Sequence, residues 1–194
     1  MNVRLTKAQK IKIANSDDVF AVMRQILRRE NRLGRHKEHF WVIGLANNHQ
    51  VLYIELVSLG SLTATIVEPM DVFSWALQKR CVRLILVHNH PSGALQPSLA
   101  DKEITDRLIQ VGRIVKIEIL DHLIISEEHY YSFADAGVLE ALHQSTQFVP
   151  RYADEERVRK ASHVDMARKL KGRGVTVEVI IAVSGLTAEA VEAL

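Results

Sequence analysis

Between His88 and Asp101 the chain reads H-N-H-P-S-G-A-L-Q-P-S-L-A-D: two histidines one residue apart, a serine eight residues on, and a carboxylate three residues after that. Imidazole nitrogens and carboxylate oxygens are what zinc takes in water-activating sites, where three protein ligands leave a fourth position open. A lone H-x-H is more often two surface or internally satisfied histidines. Here the neighbouring sequence supplies a frame that can bring the three groups together. Arg83–Val87 is an apolar run of strand length, and Ser98 and Asp101 open the helical pattern Ile104, Leu108, Ile109, Val111. The order is therefore strand, turn-rich loop, helix. On a strand His88 and His90 point to the same face, and Asp101 in the first helical turn can add an oxygen to their two nitrogens.

The stretch resembles the metal motif of the JAB1/MPN (JAMM) metalloprotease family, H-x-H, seven residues, S-x-x-D, at every fixed position. The run His88-Asn89-His90-Pro91-Ser92-Gly93, with Pro97-Ser98, Thr105 and Asp121-His122, is similar to the RadC-type bacterial branch. The resemblance covers roughly Asp17 to Leu139. It implies a Zn2+ ion bound by His88, His90 and Asp101, with Ser98 donating a hydrogen bond to a tetrahedral intermediate. The family also uses a glutamate from an earlier strand as general base. Glu38, just before the first apolar strand, stands at that position; Glu55 and Glu68 are weaker candidates. Read without the resemblance, Glu38 beside Arg35 and Lys37 is a surface charge. Asp121 and His122 could orient a ligand histidine or cap a strand junction.

The implied fold is α/β (α+β): a mixed sheet flanked by helices in a JAB/MPN-like (cytidine-deaminase-like) architecture, with a small helical C-terminal tail. The implied activity is zinc-dependent hydrolysis of an amide or isopeptide bond in a peptide or protein substrate. The competing reading is a RadC-like binding protein of DNA repair or mobile elements, with a non-catalytic metal site. A zinc nucleic-acid deaminase would need cysteine ligands in a P-C-x-x-C frame, which the chain lacks.

The elements around the motif follow from periodicity. Ser16 reads as an N-cap before Asp17 and Asp18, and Val19, Val22, Met23, Ile26 and Leu27 give a helix over Asp17–Arg29. Phe40–Ala46 and Val51–Leu59 read as a hairpin across a polar turn, and Ser61–Val67 as an extended link. Pro69–Lys79 and Lys102–Gly112 read as helices, and Val115–Leu120 with Asp121–Ser126 as a strand or strand pair. Arg83–Val87 is expected inside the sheet, because five consecutive apolar or stem-bearing residues suit burial on both faces.

Residues 1–15 read as a flexible lead-in, 16–140 as the metal domain, 141–150 as a linker and 151–194 as a helix-turn-helix-like tail. Arg157–Arg173 carries seven basic residues against the single acid Asp165, which makes DNA a partner to consider. The presumed reading helix, with Thr187, Glu189 and Glu192, has no base-reading Arg, Asn or Gln. Composition is that of an ordinary globular protein, 47% hydrophobic and 25% charged, and the net charge of +2 over 194 residues does not by itself mark a nucleic-acid protein. The single Cys81 excludes an intramolecular disulfide and a cysteine-type zinc site. Charges interrupt the first residues, and no apolar run reaches the roughly 18 residues of a membrane span. The expectation is a cytoplasmic protein with no membrane contact.

Overall fold

The computed structural model describes residues 11–31, 34, 37–60 and 67–194. The chain divides into two compact units, Met1–Phe148 and Val149–Leu194. In the first, the elements run α1 (Ser16–Leu27), β1 (His39–Leu45), β2 (Val51–Leu59), α2 (Pro69–Gln78), β3 (Arg83–Asn89), α3 (Leu99–Val115), β4 (Glu118–Ile125), β5 (Tyr130–Ser132) and α4 (Val138–His143). The five strands form one sheet in the order β2-β1-β3-β4-β5, with β3 at its centre. The β3/β4 pair is parallel and the other pairs are antiparallel, so the sheet is mixed. The expected helices and hairpin are found with ends shifted by up to three residues. The region expected as one or two strands after α3 is the single strand β4.

Alternation along the strands sorts the core into two layers. Phe40 and Val42 of β1 and Leu84 and Leu86 of β3 pack with Val72 and Phe73 of α2 and Leu108 and Ile109 of α3. Trp41, Ile43, Ile85 and Val87 face the other way, onto Val19, Val22, Met23 and Ile26 of α1. β3 is buried along nearly its whole length, as a central strand covered on both faces must be.

One irregularity sets which side chains face the metal motif. In the β3/β4 register Leu84 pairs with Ile119, but Ile85 pairs with Asp121. The extra residue, Leu120, reverses the alternation of β4. Ile119 lies in the α2/α3 layer, and beyond the bulge so does the even-numbered Ile124. His122 is thereby placed beside Leu86, on the layer of His88.

Some local details differ from expectation. Asn15, not Ser16, caps α1: its side chain accepts from the Asp18 amide at 3.0 Å. Ser16 is the first helical residue, and its hydroxyl donates to the Asp135 carboxylate. Ile11–Ile13 are docked against the hairpin, with Lys12 bridged to Gln50, the Ile13 amide donating to His49 O at 3.0 Å, and Ile13 buried. Residues 1–10 of the expected lead-in, Arg32 and Arg35, and residues 61–66 of the expected link lie outside the described residues.

The second unit holds α5 (Arg151–Gly172), α6 (Val177–Ser184) and α7 (Ala188–Glu192) around Ala167, Ile180 and Val191. Gly185, at φ 68, ends α6 in the left-handed conformation, and the Thr187 side chain caps α7. Lys171 ties α5 to the end of α7 by donating to Val191 O at 3.0 Å and Glu192 O at 2.8 Å. No helix among the described residues is long and apolar enough to cross a membrane.

Candidate metal centre

The motif's three expected ligands meet at the carboxyl end of β3. His88 Nε2 lies 3.0 Å from His90 Nε2 and 3.2 Å from Asp101 Oδ1, and His90 Nε2 lies 3.4 Å from Asp101 Oδ2. Tetrahedral zinc with bonds of about 2.0–2.1 Å holds its ligand atoms roughly 3.3–3.4 Å apart. The described residues therefore present a ready three-point set for such an ion, and no other group of this kind occurs among them.

Two elements bring Asp101 there. It is the third residue of α3 and Ser98 is the N-cap. The Ser98 hydroxyl accepts from the Asp101 amide at 3.1 Å, and the Ser98 amide donates to Asp101 Oδ2 at 2.7 Å. S-x-x-D is thus a capping box as well as a metal motif. The same carboxylate that starts the helix turns its Oδ1 toward His88. The Ser98 hydroxyl also donates to Asp101 Oδ2 at 2.7 Å, so its proton points at the ligand carboxylate in this structure.

A buried hydrogen-bond chain fixes the protonation of the histidines. Thr105 Oγ1 donates its one proton to Asp101 O at 2.5 Å, so toward His122 Nδ1, 2.6 Å away, it can only accept. His122 then carries its proton on Nδ1. Burial pushes its pKa well below the ordinary value, so its Nε2 is bare. That nitrogen, 2.8 Å from His88 Nδ1, accepts a hydrogen bond from it. His88 is left with a bare Nε2 aimed at the cluster. His90 reaches the same state by a shorter route, its Nδ1 donating to Ala94 O at 2.8 Å. Two imidazole lone pairs and a carboxylate converge with no proton required among them, an arrangement that calls for a cation.

The electrostatics likewise favour positive charge at this point. Burial alone would raise the Asp101 carboxyl, but contacts with His88, His90 and the Ser98 hydroxyl outweigh it and hold the carboxyl far below its usual range. The His90 imidazole is raised, first by its contact with Asp101, against a lowering by burial, and further by the charge of Glu38. Glu38 is half-buried just before β1. Phe40 pairs with His88, so continuing the antiparallel register two residues outward sets Glu38 opposite His90 on the same face. Glu55 lies on β2 beside Val42, farther from the strand end, where its charge acts on Tyr53. Glu68 is the exposed N-cap of α2.

Of the two residues expected to orient a ligand or cap a junction, His122 touches His88. Asp121 does not face the cluster. It accepts from the Ser132 hydroxyl at 2.6 Å, the Ala134 amide at 2.9 Å and the His122 amide at 2.7 Å, closing the corner between β4 and β5. Thr105 had no assigned role in the sequence. Its signal was the four-residue step from Asp101, which puts both on one face of a helix.

Residues 13–138 match the RadC-like JAB domain, which is well over half of the chain. Similar chains include a UPF0758 protein of Chlorobium chlorochromatii, 40% identical over 141 residues, covering 72% of this chain and 61% of the relative. A UPF0758 protein of Flavobacterium johnsoniae is 44% identical over 127 residues, covering 66% of this chain and 53% of its own length. The chain thus spans a little over half the length of these relatives, and α4 is the last element that the family match reaches. With the strand-loop-helix frame, the three converging ligands and the match over residues 13–138, the chain belongs to the RadC-like JAB domain family.

Proposed function

We propose that this chain is a zinc-dependent hydrolase of JAMM type acting on an amide or isopeptide bond. The observation that carries the reading is the convergence of two bare imidazole nitrogens and the Asp101 carboxylate, held by the Thr105–His122–His88 chain. A zinc ion in that set supplies Lewis acidity and brings water's pKa down to about 7.

The chain's own groups do the rest. Glu38, opposite His90 in the register of β1 and β3, takes the proton of the attacking water and returns it to the leaving nitrogen. The Ser98 hydroxyl, turned from Asp101 toward the substrate oxygen, gives the developing oxyanion a donor. The Thr105–His122 chain keeps His88 in one tautomer throughout.

The test uses zinc-loaded protein and a panel of peptides and lysine-isopeptides read by mass spectrometry. Glu38→Gln should keep its metal and lose roughly 100- to 10,000-fold in rate. Equal hydrolysis by wild type and Glu38→Gln, or by chelated protein, would contradict the assignment.

A DNA partner for the second unit is a separate proposal, and it rests on few charges. Arg157, Lys160 and Lys169 pair with Asp154, Glu156 and Asp165 on α5 itself, and Lys171 is engaged by α7. Arg159, Arg168 and Arg173 are exposed and stand outside these ion pairs.

A further inference from the structure

Asn89, between the two ligand histidines, points away from them. Side chains alternate along β3, so its carboxamide lies on the layer opposite His88 and His90, and it is buried, with 3% of its surface exposed. Its partners there are the backbone groups on either side of one residue. Oδ1 accepts from the His39 amide at 3.0 Å, and Nδ2 donates to Lys37 O at 3.1 Å. The residue bracketed is Glu38.

Such a bracket is needed because the backbone ladder stops there. The β1/β3 register ends at Phe40 and His88, and two residues beyond Asn89 comes Pro91, which has no N–H to offer. The Asn89 side chain supplies one acceptor and one donor in place of the missing backbone groups. Other contacts reinforce the frame. His39 Nδ1 donates to the same Lys37 O at 2.9 Å, and the His39 ring stacks on Trp41 at 4.9 Å and 7°. Across the hairpin the Gly60 amide donates to Glu38 O at 2.8 Å. The backbone of Glu38 is thus gripped from β2 and from β3, and its side chain is left on the histidine side.

We infer that Asn89 is a positioning residue that locks the Glu38 backbone at the end of β1 and thereby aims its carboxylate at the metal cluster. This rests on the reading of Glu38 as the base. Asn89 itself touches none of the three ligand atoms. The x of H-x-H then has a job of its own: the two histidines hold the ion on one face of the strand, and the residue between them sets the proton acceptor from the other.

The test loads the full chain with cobalt(II) and follows its visible absorption against pH, together with cobalt content per chain. The variants are Glu38→Gln, Asn89→Leu, Asn89→Asp and the double Glu38→Gln/Asn89→Leu. Asn89→Leu should keep full cobalt content and move the pH midpoint in the same direction as Glu38→Gln, by at least half as much. The double variant should move it no further than Glu38→Gln alone. Asn89→Asp keeps the acceptor for the His39 amide and should fall between wild type and Asn89→Leu. It also serves as the reporter if the leucine variant does not fold.

A wild-type midpoint in both Asn89 variants, with Glu38→Gln shifted, would overturn the positioning role and leave Glu38 as base. No shift in Glu38→Gln itself would overturn the reading of the base and the inference with it. Loss of cobalt in both Asn89 variants would make Asn89 part of the metal frame, which also overturns the inference.

Discussion

At the scale of single residues, one hydroxyl proton governs the state of the centre. Thr105 has one proton and gives it to Asp101 O, and the tautomers of His122 and His88 follow from that. Thr105→Val keeps the shape but removes the acceptor for His122 Nδ1. Zinc affinity, measured by competition with a chromophoric chelator, should fall about 10- to 100-fold, and Thr105→Ser should restore it. Unchanged affinity in Thr105→Val would show that the chain does not hold His88. Cys81 makes a different residue-scale prediction. Burial pushes its thiol up from 9.0 to about 11, and burial pushes the neighbouring Tyr53 phenol up as well. A group whose folded pKa is raised gives stability that is whole below its unfolded pKa and is lost as pH rises through the folded value. Unfolding midpoints should therefore hold up to about pH 9 and decline between pH 9 and 11. Cys81→Ala should soften the decline. A thiol reagent should modify wild-type Cys81 at neutral pH only after denaturation.

At the scale of elements, the backbone after α3 is set by a close approach. A Cβ on Gly112 would lie 2.4 Å from Ile117 O, a backbone atom that cannot swing aside. The Ile117 amide closes on Gly112 O at 2.9 Å, and Lys116 makes the turn at φ 60. Gly112→Ala should therefore destabilise the domain by about 1–3 kcal/mol, a melting-point drop on the order of 2–4 °C per kcal/mol, readable by calorimetry. A wild-type melting point would mean that the turn can relax. The same elements show what the sequence made legible. The helices, the hairpin and the buried central strand follow from apolar spacing, and H-x-H with S-x-x-D marked the three residues that converge where a metal could be held. The side of β4 that His122 faces did not follow. Glu118–Ile125 reads E-I-L-D-H-L-I-I, with no strict alternation to say which face His122 takes, and the bulge at Leu120 that reverses its alternation depends on pairing with β3, which no local pattern encodes. The bracket of Asn89 around Glu38 was hidden for the same reason, because it joins residues about fifty positions apart.

At the scale of the whole molecule, the two units carry separable properties. Among the described residues, the three groups that could hold a metal all belong to the first. If the second unit binds DNA through Arg159, Arg168 and Arg173, about three phosphates are neutralised, and the log–log salt slope should be near −0.9 per phosphate, roughly −2.7 in all. Replacing those three arginines by glutamine should remove most of that slope and leave zinc content unchanged. A slope that survives the triple change would move any DNA contact elsewhere.

Elemental analysis of zinc in the protein purified without chelator addresses the centre most directly, for the wild type and for His88→Ala, His90→Ala and Asp101→Ala. About one zinc per chain is expected in the wild type, with marked loss in each variant, because three ligands are the fewest that hold such a site. Glu38→Gln, measured alongside them, should retain the metal. Wild-type zinc content in all three ligand variants would contradict the assignment of the centre.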